Sequence, residues 1–345
     1  MAVFVSEKTY DAILILSFGG PEGPDDVIPF LENVLRGKNV PRERMLAVAE
    51  HYQHFGGVSP INEQNRSLIA ALQKELEEYG PHLPIYWGNR NWHPMLADTL
   101  QKMADDGVRQ ALAYVTSAFS SYSGCRQYRE DIEKAQQAVG LTAPHIDKIR
   151  VFYNHPGFIA AVVDRVGTAL KQLPAERRAT AQILFTAHSI PLAMASGCDY
   201  ERQLREACRL VCQSLKHEVW QLVYQSRSGP PTQPWLEPDV GDALRELAKE
   251  NSPPAVVISP IGFLTDHIEV LFDLDTEARQ IADELGLQLV RAETVGQHPA
   301  FIAMVRELIL ERIDPKLPKR SLGELGPRVD VCAADCCLSG RRPVG

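Results

Sequence analysis

The stretch AILILSFGGPEGPDDVIPFLENVLRG (12–37) decides the fold. Residues 12–18 form an unbroken apolar run closed by Gly-Gly-Pro, the pattern of a strand buried on both faces and ending in a loop. The DDVIPFLENVLRG that follows carries helical periodicity. A doubly buried strand feeding a helix opens a βαβ unit, and the rhythm continues. SLIAALQKELEEYG (67–80) is a helix, LPIYWGN (83–89) a strand, LADTLQKMADDG (96–107) a helix, QALAYVTSAFS (110–120) a strand and 127–139 a helix. IRVFYN (149–154) reads as the strand that restarts the rhythm. After it come helix 157–173, strand AQILFTAHSIP (181–191), helix 200–215, strand WQLVYQSRSG (220–229), helix 240–251 and strand AVVISPIGF (255–263). A long helix HIEVLFDLDTEARQIADELG (267–286), a short strand 287–294 and a helix 300–313 complete it.

This pattern predicts an α/β protein of two similar Rossmann-like domains, doubly wound on mostly parallel sheets, spanning 1–150 and 151–314 with a cleft between them. From about 315 the periodicity stops. Residues 315–345 read as a cysteine-containing tail with no core of its own, ordered only if something staples it. Ligands of such folds sit beyond the carboxyl ends of the strands, which singles out the loops after Phe18, Phe119, Ala187, Gln225 and Ile261.

A net charge of −8 argues against nucleic acid as the partner, since a phosphate backbone calls for a basic face. No run reaches the roughly 18 apolar residues that span a bilayer, and Glu7, Lys8 and Asp11 interrupt the N-terminus before any long apolar run. The expected setting is cytoplasmic, with peripheral membrane contact left open. Seven cysteines, an odd number in such a chain, argue against a disulfide framework. Gly19-Gly20-Pro21 lacks the spacing of a phosphate-binding turn, and its proline removes an N–H donor.

Chemistry-bearing residues cluster at the strand ends. TAHSIP puts His188 at the end of an apolar strand; taken alone it is equally a loop histidine held by hydrogen bonds. Glu269, Asp273 and Glu277 fall at i, i+4 and i+8 of a helix otherwise rich in Ile268, Val270, Leu271, Phe272 and Leu274. A solvated face is the ordinary reading of such a row. The apolar neighbours argue instead for carboxylates that need a divalent cation or protons as compensation. Imidazole with carboxylate suits a borderline metal such as Fe²⁺, and imidazole suits proton abstraction near neutral pH.

Six blocks, LSFGGPEGPDDVIPFLENVLRG, HFGGVSPIN, YWGNRNW, TAHSIP, YQSRSGPPTQPWLEPD and SPIGFLTDHIEVLFDLDTE, together resemble ferrochelatase, in family order from about residue 10 to 312. The resemblance is closest to the actinobacterial-type enzymes, many of which use coproporphyrin III. It implies insertion of Fe²⁺ into coproporphyrin III or protoporphyrin IX in haem biosynthesis, with iron and porphyrin as substrates. His188 matches the family's catalytic, metal-contacting histidine and Glu269 its opposing glutamate. The pair is expected to converge from separate halves of the molecule on a tetrapyrrole-sized cavity. Asp273 and Glu277 match an acidic line leading away from the metal. Ser59 and Tyr128 match positions that contact the propionates or ring, and Arg36 a basic position able to pair with a propionate. Phe18, Ile15 and Trp235 are the candidate apolar walls. Phe18 stands where some members carry a metal-approaching tyrosine, and His51 where some carry arginine. Rival readings are a cobalt or nickel chelatase of a related tetrapyrrole, and a non-catalytic haem-binding protein on the same scaffold.

Cys332, Cys336 and Cys337 form C-x3-C-C in the tail. A free tail and a structural zinc site are the alternatives; zinc usually takes C-x2-C pairs, which are absent. Many ferrochelatases hold a [2Fe–2S] cluster with C-terminal cysteines and one core cysteine, and thiolates suit it. The resemblance by region thus implies a cluster on Cys332, Cys336 and Cys337, with Cys125 as fourth ligand and Cys198 as its rival. Cys208 and Cys212, at i and i+4 of a helix, read as core.

Overall fold

The computed structural model describes residues 9–38, 40–229, 232–250 and 252–340. The N-terminal reading at residues 1–8, the two prolines at 230–231 and the end of the tail at 341–345 lie outside the described residues.

The first half runs β1 (Ala12–Ser17), α1 (Val27–Leu35), α2 (Arg42–His54), α3 (Ile61–Tyr79), β2 (Ile85–Asn89), α4 (Leu96–Asp105), β3 (Gln110–Val115), α5 (Gln127–Val139) and β4 (His145–Lys148). The second runs α6 (Pro156–Lys171), α7 (Ala175–Arg178), β5 (Gln182–His188), α8 (Leu192–Ala195), α9 (Tyr200–Leu215), β6 (Trp220–Gln225), α10 (Val240–Leu247) and β7 (Val256–Ser259). It ends with α11 (Ile268–Val270), a π-helical segment (Leu271–Ala278), α12 (Arg279–Glu284), β8 (Leu289–Arg291) and α13 (Pro299–Ile313). Each half builds one four-stranded, wholly parallel sheet, in the orders β2-β1-β3-β4 and β6-β5-β7-β8. The orders are equivalent, so the fold is the doubly wound α/β architecture expected. In each sheet the chain moves one way from the first strand and the other way to the third. The crevice at that reversal lies between β1 and β3, and again between β5 and β7.

β1 and β5 are central strands covered on both faces, which is why their sequences are apolar without alternation. One hydrophobic cluster runs from Ile13, Ile15 and Tyr114 of the first sheet through Phe152 and Phe158 to Phe185, Phe301 and Leu308 of the second half.

Two local expectations fail. IRVFYN (149–154) is not a strand; the strand is HIDK just before it, paired with β3. Ile149 N–H still reaches Ala113 O (2.9 Å), and the chain then leaves the sheet to cross to the second half. Its apolar residues are buried in that crossing, so burial rather than strand pairing explains their composition. The helix α2 has no counterpart in the sequence reading. It buries only Met45, Ala49 and Tyr52, too thin a stripe to announce a helical period.

The tail has neither helix nor strand among its described residues, 314–340. Polar contacts hold it: Arg312 and Lys319 to Asp330, Arg320 to Glu307, Arg328 to Asp199, and Asn154 Nδ2 to the carbonyls of Leu322 and Gly326.

Candidate active site

His188 is the last residue of β5, and Glu269 lies beyond β7, the strand beside it. Both therefore stand at the switch point of the second sheet. Their side chains approach to 3.6 Å (Nε2 to Oε2) and stay 36% and 46% exposed, open to an incoming molecule. The expectation of one residue from each half is corrected here. Adjacent strands of a single sheet deliver both, because that sheet's own crevice is where its strand ends splay.

The His188 ring is oriented from behind. Nδ1 lies 2.6 Å from Ser189 O, a contact that needs a proton on Nδ1 and leaves the Nε2 lone pair facing Glu269. Tyr200 OH donates to His188 O (3.1 Å), and Ser189 Oγ donates to Leu236 O (2.8 Å). Gly262 packs against the strand just ahead of the histidine. A Cβ there would come 2.7 Å from Ala187 Cα, so this backbone approach admits glycine alone.

Glu269 sits in α11, directly before the π-helical segment. Arg291 from β8 braces this region, binding Asp266 (3.1 Å) and Asp275 (2.6 Å). Gln64 of α3 accepts the Asp266 N–H (2.8 Å), a tie from the first half to the segment that carries Glu269. Asp273 accepts hydrogen bonds from Gln225 Nε2 (3.1 Å) and from Ser226 Oγ. Burial, opposed by the Ser226 hydrogen bond and aided by the Glu269 charge, pushes its carboxyl up to about 7. Glu277 is exposed at the outer end, its carboxyl raised by partial burial and then by Asp239. Among the described residues, no group of three or more His, Cys, Asp or Glu converges on a single-ion site. The four groups form a row from His188 outward rather than a cage.

The first half packs against the segment that carries Glu269. Phe18, directly after β1, keeps its ring 37% exposed and contacts Phe30 edge-on (centroids 6.2 Å). Phe30 belongs to a cluster with Tyr52, Met45 and Ile268, the neighbour of Glu269. Ser59 is buried against Gly20, where a Cβ would strike Ser59 Oγ at 2.9 Å. Arg36 is exposed at the end of α1, tied to Asn33. Tyr128 is 4% exposed and lies beneath the Arg90 guanidinium (4.7 Å to the ring), while Arg90 also lies 5.7 Å from Phe18 and pairs with Asp131. Two expected walls are not walls. Ile15 is wholly buried at mid-strand between Trp87 and Tyr114. Trp235 is buried in a bridge to Pro191, behind the His188 loop. Apolar character alone could not separate core from lining.

Sequence reading gave no role at the pair to four residues near it. His51 stacks on Phe272 (3.7 Å, 9°), joining α2 to the π segment; burial, then Arg44, holds its imidazole below the usual range. His267 lies near Glu269 and His188, and burial lowers its imidazole. Gln225 and Ser226 clamp Asp273. His267 carried a signal in lying two residues from Glu269, His51 in standing where some family members carry arginine, and Gln225 in ending a strand.

A sequence model of the ferrochelatase family matches residues 10–313. The chain belongs to that family. Its reaction is the family's, insertion of ferrous iron into a porphyrin in haem synthesis, and it is an enzyme of the metal-chelatase, lyase type. A ferrochelatase of Rhodopirellula baltica is 60% identical, over 97% of this chain and 95% of its own. Coproporphyrin III ferrochelatases of Frankia alni and Streptomyces coelicolor are 53% and 51% identical, over 96% and 95% of this chain and 87% and 93% of theirs. Among solved structures, SirB from Bacillus subtilis with Fe³⁺ superposes with a TM-score of 0.55 at 12% identity, over 88% of this chain and 97% of its own. That likeness concerns the fold alone.

The second cluster of reactive side chains lies at the tail. Cys125 is buried in a π-helical turn, Tyr122–Arg126, before α5. Its thiol is within hydrogen-bonding reach of those of Cys332 and Cys337, and the sulfurs of Cys336 and Cys337 are 3.4 Å apart. Cys198 hydrogen-bonds to Met194 O (3.4 Å) instead. Cys208 and Cys212 are core residues, and burial raises both thiols.

Proposed function

We propose that His188 and Glu269 are the insertion pair and that the porphyrin is coproporphyrin III. The observation that carries the first claim is the 3.6 Å approach of His188 Nε2 to Glu269, half-exposed at the switch point. Metalation exchanges two pyrrole N–H protons for Fe²⁺, so the site needs a base and a way out for protons. The Nδ1–H contact to Ser189 O leaves Nε2 as that base. Once protonated, His188 pairs with Glu269, which lowers the cost of the cation in a partly desolvated cleft. Asp273, poised at about 7, can accept a proton and release it toward exposed Glu277. The same carboxylates suit Fe²⁺ moving in stepwise. Phe18 presents a ring face to the macrocycle; without a hydroxyl it offers the metal no oxygen. Exposed Arg36 suits a propionate, and Ser59 and Tyr128 are assigned to the propionates or ring on the family resemblance. We keep the division into units 1–150, 151–314 and 315–345 as the working description.

His188→Ala is expected to abolish insertion while porphyrin still binds, followed by quenching of protein fluorescence. Full insertion by that variant would remove His188 from the mechanism. The names of the 51–53% identical relatives support coproporphyrin III. A parallel Fe²⁺ assay with coproporphyrin III and protoporphyrin IX tests it, and faster turnover of the latter would reverse the assignment.

We also infer that Cys125, Cys332, Cys336 and Cys337 hold a [2Fe–2S] cluster, which would supply a one-electron centre and staple the tail. The donor set fits. Two irons take two thiolates each, so four sulfurs need not surround one point as a single ion demands. Arg126 fixes the tail's approach by donating to the carbonyls of Ala334 (2.6 Å) and Cys336 (3.2 Å). Protein purified anaerobically should be brown, and Cys336→Ser should bleach it; a colourless, iron-free parent chain would end this reading. Seven cysteines with no disulfide among the described residues suit a cytoplasmic setting. Among the described residues no helix is long and apolar enough to cross a membrane.

A further inference from the structure

The π-helical segment that follows Glu269 is tied to both edges of the second sheet. In the order β6-β5-β7-β8 the edge strands are β6 and β8, three strand spacings or roughly 14 Å apart. Asp273 accepts from Gln225 Nε2 (3.1 Å), on the last residue of β6, and from Ser226 Oγ just beyond it. Asp275 accepts from Arg291 Nε (2.6 Å), on the last residue of β8. Between those edges lies β5, which ends at His188. Val270 and Leu274 of the same stretch share an apolar cluster with Leu184, Val223 and Ile258 of the sheet. A π turn is closed by i→i+5 bonds and is rare. The edge ties oppose its relaxation to α-helical bonding, which would turn Asp273 and Asp275 off their partners.

Arg291 does more than hold an edge. Its second nitrogen, Nη1, donates to Asp266 (3.1 Å), so one guanidinium joins carboxylates on either side of Glu269. The Arg291 and Asp266 side chains are each 16% exposed, which shields their pairing from water. Among the described residues the Glu269 carboxylate pairs only with His188, so its place is set by the backbone that carries it. Without the guanidinium, two carboxylates would face each other at the neck of that loop and part. We propose that Arg291 is a positioning residue for metal insertion: by clasping Asp266 and Asp275 it fixes the backbone on which Glu269 meets His188. This rests on reading His188 and Glu269 as the insertion pair.

The test is steady-state Fe²⁺ insertion into coproporphyrin III by the full chain, with porphyrin binding followed by fluorescence quenching. Arg291→Lys keeps the charge, but one ammonium does not reproduce a planar fork shared by two carboxylates. It should lower kcat by roughly 10²-fold, the scale of a misplaced reacting group, with porphyrin affinity near the parent's. The discriminating readout is the same substitution in a Glu269→Gln background. A residue that acts through Glu269 adds no further loss there, whereas a merely structural role multiplies the two losses. Should Arg291→Lys fail to fold, Asp275→Asn opens one end of the clasp, leaves the guanidinium in place and is read in the same two backgrounds. A folded Arg291→Lys or Asp275→Asn with the parent's kcat, a loss confined to porphyrin affinity, or full additivity with Glu269→Gln would overturn the proposal. Full activity of Glu269→Gln alone would sink the insertion-pair reading, and the proposal with it.

Discussion

His155 gives the chain a built-in sensitivity to acid. It precedes α6 and caps it, Nδ1 accepting the Gly157 N–H at 3.2 Å. Its proton therefore sits on Nε2, 3.3 Å from Glu307, in a ring with no solvent exposure. Burial first, then Arg150 and Arg320, lower its pKa from 6.5 to about 3. Glu307 does little to offset this, because Arg320 already neutralises it at 2.6 Å. The folded state thus refuses a proton that the unfolded chain accepts. Above about pH 6.5 both states are neutral and nothing is lost; as pH falls from there toward about 3, stability falls. At about pH 4.5 protonation favours the unfolded chain by roughly two powers of ten, or about 3 kcal/mol. His155→Asn keeps a capping acceptor and does not titrate. Urea unfolding of both proteins at about pH 7.5 and about pH 4.5 compares the two losses, so any constant offset from the substitution cancels. The parent should lose about 3 kcal/mol more than the variant over that interval. Parallel losses would refute the reasoning.

Glu269→Gln should slow insertion by roughly 10²–10⁴-fold if the carboxylate acts with His188, with porphyrin affinity little changed; a steady-state assay with a fluorescence binding curve separates the two. Glu311 binds Arg150 bidentately (2.9 and 3.1 Å) where the two halves cross, both side chains being almost fully buried. Glu311→Ala should cost about 3–5 kcal/mol in chemical denaturation, and the Arg150→Met/Glu311→Leu pair should recover most of it. Gly262→Ala should push β5 aside at Ala187, costing about 1–3 kcal/mol and lowering kcat by displacing His188. Unchanged kcat with ordinary stability would show that the approach of Gly262 to β5 is not needed.

The sheets were legible because their central strands are buried on both faces, so an apolar run bounded by glycine and proline marks each one. The row Glu269, Asp273 and Glu277 was legible because helical spacing survives into a π-helical turn. The crossing at 149–154 was not, since buried irregular backbone has a strand's composition without a strand's partners. Nor was α2, whose apolar stripe is thin. Ile15 and Trp235 show the same limit at the site: a side chain's polarity says that it avoids water, not which surface shields it.

Residue order by itself determined the repeated α/β rhythm, the placing of His188 and Glu269 at strand ends, and a tail unable to fold on its own apolar groups. Only the tertiary structure decided that both members of the pair come from one sheet. It also brought Cys125 to the tail thiols across more than two hundred residues, and assigned His188 its tautomer through Ser189 O. The physical reason is that periodicity records which faces are buried, whereas which strands are neighbours and which lone pairs are free depends on how the buried faces pack together.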